Sequence, residues 1–354
     1  MGNQCSSSAA NTTSPERGRS RPSFYAILDS FDTIEKVQDA LRKEGLESSN
    51  LVLAIDYTGS NEWTGKNSFG GRCLHALGQE SNPYELAISI IGRTLAAFDE
   101  DNLIPAYGFG DVGSKDSRVF SFHEGDQPCH GLDSVLWRYK EVTPYVKLSG
   151  PTSFAPAIYQ AMQIVARQGG QFHILVLVAD GQVTRPSGMP SSQLSVQEQA
   201  TVDAIVAASS LPLSIIMVGV GDGPWEVMQE FDDKLPKRQF DNFQFVNFTE
   251  VQRKYGSHPK LEAQFALQAL MELPEQYKLI QSMGMLSRPV NQRIPGYPPM
   301  NPPAPSRWGP AGPAGDAAGS SSVPVAMGQP VPYYQQPSMG PGLAGSQYPS
   351  MHRT

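Results

Sequence analysis

The chain has 354 residues, enough for one domain of about 200 to 260 residues with extensions. Its apolar content of 40% suits a folded core, but no apolar run reaches the roughly 18 residues of a membrane-spanning helix. Three cysteines, Cys5, Cys73 and Cys129, are too few for a disulfide framework or a cysteine-rich zinc module, and they indicate a reducing compartment.

Both terminal regions carry more arginine than acid, so the middle is more acidic than the net charge of −7 implies. An acidic body argues against nucleic acid as the main partner.

The first residues fit a lipidation pattern. Gly2 matches the N-myristoylation motif, and Cys5 beside it is a candidate for palmitoylation. Residues 1–24 also carry three arginines and lack the apolar stretch of a secretory signal. We expect a disordered, acylated arm that tethers an intracellular protein to the cytoplasmic face of the plasma membrane, with the cytoplasm and the nucleus as further locations. The alternative is an unmodified disordered tail.

Apolar periodicity predicts helices and strands in alternation from residue 25 to residue 283. Helices are predicted within 25–47, 83–98, 132–142, 149–166, 195–208, 225–231 and 261–283, the last broken near Pro274. Strands are predicted at 51–55, 103–109, 119–122, 172–179, 213–220 and 243–248. Such alternation is typical of βαβ units. The predicted fold is therefore α/β, with a doubly wound, mainly parallel sheet formed by residues 25–287.

Oxygen-bearing side chains follow two of the predicted buried strands. Asp56, Thr58 and Ser60 come directly after the first strand, and Asp180 follows strand 172–179. Thr152 opens a helix between them. Because the carboxyl ends of parallel strands meet at one edge of a sheet, we expect these five side chains to lie together. Carboxylates and hydroxyls are hard ligands that suit Mg²⁺, with Mn²⁺ or Ca²⁺ as alternatives. Taken singly, each residue also suits an ordinary turn or helix cap.

The composition changes after residue 287. Fifteen of the 30 prolines lie between Pro289 and Pro349, and no hydrophobic period survives. Residues 288–354 are therefore predicted to be a disordered Pro/Gly-rich tail. Its Pro-Pro and Tyr-Tyr pieces are candidate ligands for SH3- or WW-like domains, and the alternative is a solvated tail without a dedicated partner.

Several stretches carry a family resemblance. The Asp56-Tyr-Thr-Gly-Ser60 run, with Thr152 and Asp180-Gly181, resembles the metal-ion-dependent adhesion site of Rossmann-like von Willebrand A domains. Five longer stretches resemble the copine family's A domain, and they begin at Asn82, Phe98, Gly150, Val218 and Phe240. Within that family, the chain resembles the plant and protist copine-like proteins that pair an acylated N-terminus with a C-terminal RING finger and act as ubiquitin ligases.

The resemblance implies a metal site and a partner. Asp56, Thr58, Ser60, Thr152 and Asp180 would hold the ion, and an Asp or Glu of a protein partner would complete its shell. A RING needs eight Cys and His ligands, whereas no cysteine and one histidine, His352, follow residue 258. We therefore expect a membrane-tethered, metal-dependent protein-binding module and not an enzyme. The alternatives are a component or substrate receptor of a ubiquitin-ligase pathway, and a scaffold acting through its tail.

Other chemistry receives little support. The Gly219-Val-Gly-Asp-Gly223 run lacks the full spacing of a dinucleotide-binding fingerprint, so it indicates a tight connection between a strand and a helix. No histidine is spaced with another as a metal ligand, and neither Cys73 nor Cys129 has a paired base in sequence. We assign no catalytic residue from the sequence.

Overall fold

The computed structural model describes residues 33–304, except for residues 44, 47–48, 100, 191, 236 and 257–259. Its strands are β1 (Asn50–Asp56), β2 (Leu103–Ile104), β3 (Ala106–Phe109), β4 (Phe120–Ser121), β5 (Cys129–His130), β6 (His173–Ala179), β7 (Leu213–Gly219) and β8 (Phe243–Asn247). Gly2 and Cys5, the predicted lipidation sites, lie outside the described residues. Within the described part, no helix is long and apolar enough to cross a membrane.

Six of the strands form one sheet in the order β4-β3-β1-β6-β7-β8. All neighbours run parallel except β3 and β4, which are antiparallel. The chain goes from β1 to β3 on one side and later returns to β6 on the other, so the winding direction reverses at β1. In open α/β sheets, ligands bind at the carboxyl edge beside such a reversal. Asp56 is the last residue of β1 and therefore stands at that point.

The helices are α1 (Ile34–Lys43), α2 (Pro83–Leu95), α3 (Gly131–Val142), α4 (Ala155–Arg167), α5 (Val196–Ala208), α6 (Glu226–Lys234), α7 (Phe248–Tyr255), α8 (Lys260–Leu270) and α9 (Leu273–Ser282). They cover both faces of the sheet. Leu53 and Val176 face a core that includes residues of α2, α3, α8 and α9. Ala54 and Leu177, the next residues along the same strands, face a core built with α4, α5 and α6. Strands buried on both faces explain the uninterrupted apolar runs in the sequence, and the predicted fold class is confirmed.

Several element predictions differ from the structure, which also contains the unpredicted strand β5. Pro105 divides the predicted strand 103–109: β2 pairs with β5 in a separate small sheet, and β3 joins the main one. The predicted closing helix is two helices, with Pro274 near the start of the second, where a proline is tolerated. Helix α7 was not predicted at all. Its apolar residues Phe248 and Val251 pack on the core directly after β8.

Part of the predicted disordered tail is packed against the domain. Residues 288–304 run along the folded unit without forming a helix or strand, and Met300 forms an isolated β-bridge with Phe120 of β4. The Met300 carbonyl accepts from the Ser121 amide at 2.9 Å, and its amide donates to Val119 at 2.9 Å. Ile294 adds apolar contact with the core. The folded unit therefore extends beyond the predicted boundary at residue 287, and residues 305–354 lie outside the described part.

Candidate metal-binding site

The strand ends bring four of the five predicted residues into one hydrogen-bonded chain. The Thr58 hydroxyl lies 2.9 Å from the Ser60 hydroxyl, which donates to Asp180 Oδ1 at 2.9 Å. Because the hydrogen of Ser60 is used toward Asp180, Thr58 donates to Ser60. Asp56 Oδ1 accepts from the Thr58 amide at 2.7 Å. Asp56, Thr58 and Asp180 are all buried, and Ser60 is half-buried.

The loop that carries Thr152 lies beside this chain of hydrogen bonds. Ser149, three residues before Thr152, forms an isolated β-bridge with Thr58. Its carbonyl oxygen accepts a hydrogen bond from the Gly59 amide. Thr152 itself is buried and held through its backbone, since its amide donates to Thr184 Oγ1 at 2.8 Å. The structure thus places the Thr152 loop against the Thr58 loop, without a recorded hydrogen bond between the Thr152 side chain and the other four side chains.

Asp56 and Asp180 are unfavourably placed as charged groups. Burial, followed by the charge of Asp180, raises the pKa of Asp56 well above its ordinary value. Burial also raises the pKa of Asp180, although hydroxyls of Thr64 and Ser60 partly offset that rise. Asp56 Oδ2 is buried and has no hydrogen-bond partner. An unpaired buried carboxylate oxygen is costly, so this atom calls for a proton or a cation as its partner.

Two residues of the site were missed by the sequence reasoning. Thr64 Oγ1 donates to Asp180 Oδ2 at 2.6 Å, so both oxygens of that carboxylate are bound by hydroxyls. His75 Nε2 lies 2.7 Å from the carbonyl oxygen of Asp56. Neither carries a sequence signal: Thr64 lies in a polar stretch interpreted as loop, and His75 is a histidine without a metal-ligand spacing.

An aromatic layer supports the loop from below. The His75 ring is stacked between Tyr57 and Tyr84, with centroids 4.5 and 4.1 Å away. His75 Nδ1 lies 2.8 Å from the Tyr139 hydroxyl. A carbonyl can only accept, so Nε2 carries the hydrogen and Nδ1 accepts from Tyr139. Burial lowers the pKa of His75 to about 3, which keeps the ring neutral.

A second chain of contacts ties the same loop to helix α2. Tyr84 donates to Asn61 Oδ1 at 2.7 Å, and Asn61 Nδ2 donates to the Thr58 carbonyl at 3.0 Å. Across the loop, both oxygens of Asp222 accept backbone amides, those of Asn67 and Ser68. The oxygen cluster therefore rests on a loop whose backbone is held at several points, which favours a preformed site.

The site has no histidine or cysteine ligands. Within the described ranges, no group of three or more His, Cys, Asp or Glu side chains is arranged to hold a metal ion. The cluster instead combines two carboxylates with the hydroxyls of Thr58, Ser60 and Thr64. Such a set matches the preference of hard divalent cations for oxygen and excludes a thiolate or imidazole site.

The fold and this cluster define an α/β domain with an oxygen-lined site at the carboxyl edge of its sheet. The copine family model matches residues 73–289, which is more than half of the chain. The chain therefore belongs to the copine family.

Two plant proteins named as E3 ubiquitin-protein ligases are similar to this chain. E3 ubiquitin-protein ligase RGLG2 of Arabidopsis thaliana is 55% identical over 304 residues, covering 83% of this chain and 65% of that protein. E3 ubiquitin-protein ligase RGLG4 of the same plant is 55% identical over 299 residues, covering 82% and 75% respectively. The chain thus spans about two thirds to three quarters of the length of these relatives. A von Willebrand factor type A structure from Catenulispora acidiphila superposes with a TM-score of 0.36 at 13% identity, covering 63% of this chain and 43% of that one.

Proposed function

We propose that the domain is a divalent-metal-dependent protein-binding module, in which the ion is held by Asp56, Thr58, Ser60, Thr152 and Asp180. The observation that carries the proposal is the orphaned Asp56 Oδ2 beside a second buried carboxylate. A cation would supply its missing partner and offset the repulsion between Asp56 and Asp180. When bound, the ion would act as a Lewis acid toward a carboxylate presented by a protein partner.

The chain's own residues prepare the site for recognition. Ser60 and Thr64 hydrogen-bond Asp180 and so orient its carboxylate. His75 and Asn61 hold the backbone on either side of Tyr57. His75 is neutral and uses both ring nitrogens in these contacts, so it is not free to act as a base. This arrangement favours binding over catalysis. Mg²⁺ suits the oxygen donors best, and Mn²⁺ or Ca²⁺ would use the same atoms.

Calorimetric titration with Mg²⁺, Mn²⁺ and Ca²⁺ tests the metal site. We expect saturable binding to the wild-type protein and its loss in Asp56→Asn, which keeps the side-chain shape but removes the charge. Asp116→Asn is a matched control, because Asp116 lies on a neighbouring loop and its carboxylate accepts a hydrogen bond from Gln197. Equal binding of an ion by wild type and Asp56→Asn would disprove the assignment.

A second candidate function is participation in protein ubiquitination, favoured by the 55% identity to two plant proteins named as E3 ligases. Here the domain would bind the substrate, and a RING-bearing protein would transfer ubiquitin. Incubation of the chain with ubiquitin, an E1 and an E2 tests this division of labour. We expect no ubiquitin transfer by the chain alone and transfer after a RING-bearing relative is added. Transfer by the chain alone would instead show that it is itself a ligase.

The membrane tether remains a proposal that depends on Gly2 and Cys5. Mass spectrometry of the protein isolated from its own cells would detect acyl groups at both positions. We expect Gly2→Ala to move the protein from the membrane fraction to the soluble fraction, because one remaining chain gives only marginal binding. An unchanged membrane fraction in that variant would exclude myristoylation as the tether.

A further inference from the structure

Exposed apolar side chains flank the oxygen cluster. Trp63 is 64% exposed, and its Cη2 atom lies 3.8 Å from where a Cβ on Gly59 would be, so the indole lies over the backbone between Thr58 and Ser60. Val112 is 51% exposed on the loop that follows β3. That loop starts at Gly110, whose Cβ position lies 2.3 Å from Thr58 Cγ2. Exposed apolar groups around a polar site are typical of interaction surfaces.

Exposed lysines lie on the same loops. Lys115 accepts from the Gly110 amide at 3.2 Å through its carbonyl, and Lys147 accepts from the Val112 amide at 3.0 Å. Lys66 directly precedes Asn67 and Ser68, whose backbone amides donate to Asp222. None of these three lysines forms an ion pair with a described residue. Since the whole chain carries a formal charge of −7, cations gathered at this edge are a local feature.

Acidic side chains on these loops are differently engaged. Asp111 accepts the amides of Gly113 and Ser114, and Asp116 accepts Gln197. Glu62 is exposed and has no ion pair among the described residues, whereas the exposed Glu80 is paired with Arg72 at 3.6 Å. On these loops three exposed lysines thus stand against one exposed acid outside an ion pair, Glu62, and this local excess of positive charge is complementary to an acidic partner.

We propose that Trp63, Val112, Lys66, Lys115 and Lys147 form a docking rim for an acidic peptide segment of a protein partner. In that segment, one carboxylate reaches the oxygen cluster, an adjacent apolar side chain packs on Trp63 and Val112, and further acidic residues face the lysines. The first contact rests on the proposed metal site, whereas the other two do not. Trp63 and the loop of Val112 each adjoin the Thr58 segment, whose oxygen atoms are buried, and an inserted side chain reaches buried atoms better than a flat membrane does.

Selection from a display library of random linear peptides, carried out on the full chain in Mg²⁺, tests the rim. We expect enriched peptides to share an Asp or Glu next to a large apolar residue, with additional acids nearby. Trp63→Ala should weaken the enriched peptides about tenfold, as expected for an exposed aromatic anchor. Lys147→Glu should weaken them and reduce the salt dependence of binding. Both variants should still bind metal in calorimetry.

Matched variants elsewhere on the surface serve as controls. Trp137→Ala removes an exposed tryptophan of α3, and Lys43→Glu reverses an exposed charge at the end of α1, which leads to the opposite edge of the sheet. Neither should change peptide affinity. Vesicles containing phosphatidylserine form a separate arm, in which we expect no Trp63-dependent binding.

The outcomes separate the rim from the metal site. Peptides that need metal but bind Trp63→Ala and Lys147→Glu as well as wild type would overturn the rim and leave the metal site standing. Peptides that depend on Trp63 and Lys147 but bind equally with chelator would support the rim and overturn metal-dependent binding. Failure to enrich acidic peptides, or Trp63-dependent binding to the vesicles alone, would also overturn the rim.

Discussion

His75 Nε2 lies 2.7 Å from the carbonyl oxygen of Asp56, so a neutral, buried imidazole holds the backbone at the end of the central strand. The ring reaches Asp56 from 19 residues away and is itself held by Tyr139 of α3. His75 and Tyr139 would not contact the ion themselves, but they position Asp56, which would. Any change to His75 should consequently affect both the stability of the domain and the geometry of its site.

We predict that His75 makes the domain less stable in mild acid. Its pKa is 6.5 in the unfolded chain and about 3 in the folded protein. Below pH 6.5 the unfolded state binds a proton that the folded state does not, so the unfolding free energy falls with decreasing pH, by up to about 1.4 kcal/mol per pH unit. His75→Gln keeps a donor for the Asp56 carbonyl but cannot titrate. Denaturant-induced unfolding of both proteins at several pH values measures how the unfolding free energy of each depends on pH.

The difference between the two curves is the informative quantity. Asp56 and Asp180 have raised pKa values, and such groups stabilise the folded state toward acid, opposite to His75. Both proteins carry these aspartates, so their contribution largely cancels in the difference. Parallel curves for wild type and His75→Gln would show that the imidazole is accessible to protons in the folded state.

We predict opposite effects of Asp56→Asn with and without metal. Without metal, the substitution removes a buried charge next to Asp180, so the variant should melt at a higher temperature than wild type. With Mg²⁺ in 100-fold excess over its dissociation constant, wild type should gain about 2.7 kcal/mol and the variant nothing. Thermal melts with Mg²⁺ and with chelator provide the measurement. A metal-dependent increase of equal size in both proteins would contradict the assignment.

A steric test links the β3 loop to the site. A Cβ on Gly110 would lie 2.3 Å from Thr58 Cγ2, and the residue has a φ of +84°, which disfavours any side chain. We predict that Gly110→Ala weakens metal binding and lowers stability, because Thr58 must move. Thr58→Ser removes the clashing methyl group and keeps the hydroxyl, so the double variant should recover about 1 kcal/mol of the loss.

The control for this pair is Gly78→Ala. A Cβ on Gly78 meets nothing within 4 Å, so the substitution should change the unfolding free energy by no more than about 0.5 kcal/mol. Additive effects of Gly110→Ala and Thr58→Ser in calorimetry and melts would mean that backbone strain at Gly110, and not contact with Thr58, causes the damage.

The main strands and the cluster at their ends could be predicted because local sequence encodes them. Residues 51–55 of β1 and 174–179 of β6 are apolar, each run is followed at once by an aspartate, and parallel strands align their carboxyl ends. Thr64 and His75 could not be predicted, since their roles depend on contacts formed only in the folded chain. Thr64 meets Asp180 across 116 residues of sequence, and a threonine in a polar loop has no distinguishing mark.

In segment 288–304 the amino-acid composition led to a wrong prediction. Its prolines and glycines indicated disorder, because no hydrophobic period is present. The structure holds it partly through its backbone carbonyl groups: that of Pro295 accepts from the Gln163 side chain, and that of Pro298 accepts from the Arg118 side chain. Backbone pairing of this kind is independent of side-chain type, so composition does not reveal it.

We predict that residues 288–304 stabilise the domain by closing its sheet. Met300 pairs with β4, the edge strand, and Val290 and Ile294 pack on the core. A chain ending at residue 287 should lose about 2–4 kcal/mol of unfolding free energy relative to a chain ending at residue 304, from buried apolar area alone. It should also associate at high concentration, because an uncovered edge strand can pair with another copy. Denaturant-induced unfolding and light scattering of the two truncated chains measure both effects.

The chain ending at 304 serves as the control, since it differs only in keeping the packed segment. Equal stability of the two chains would mean that the segment rests on the domain without supporting it.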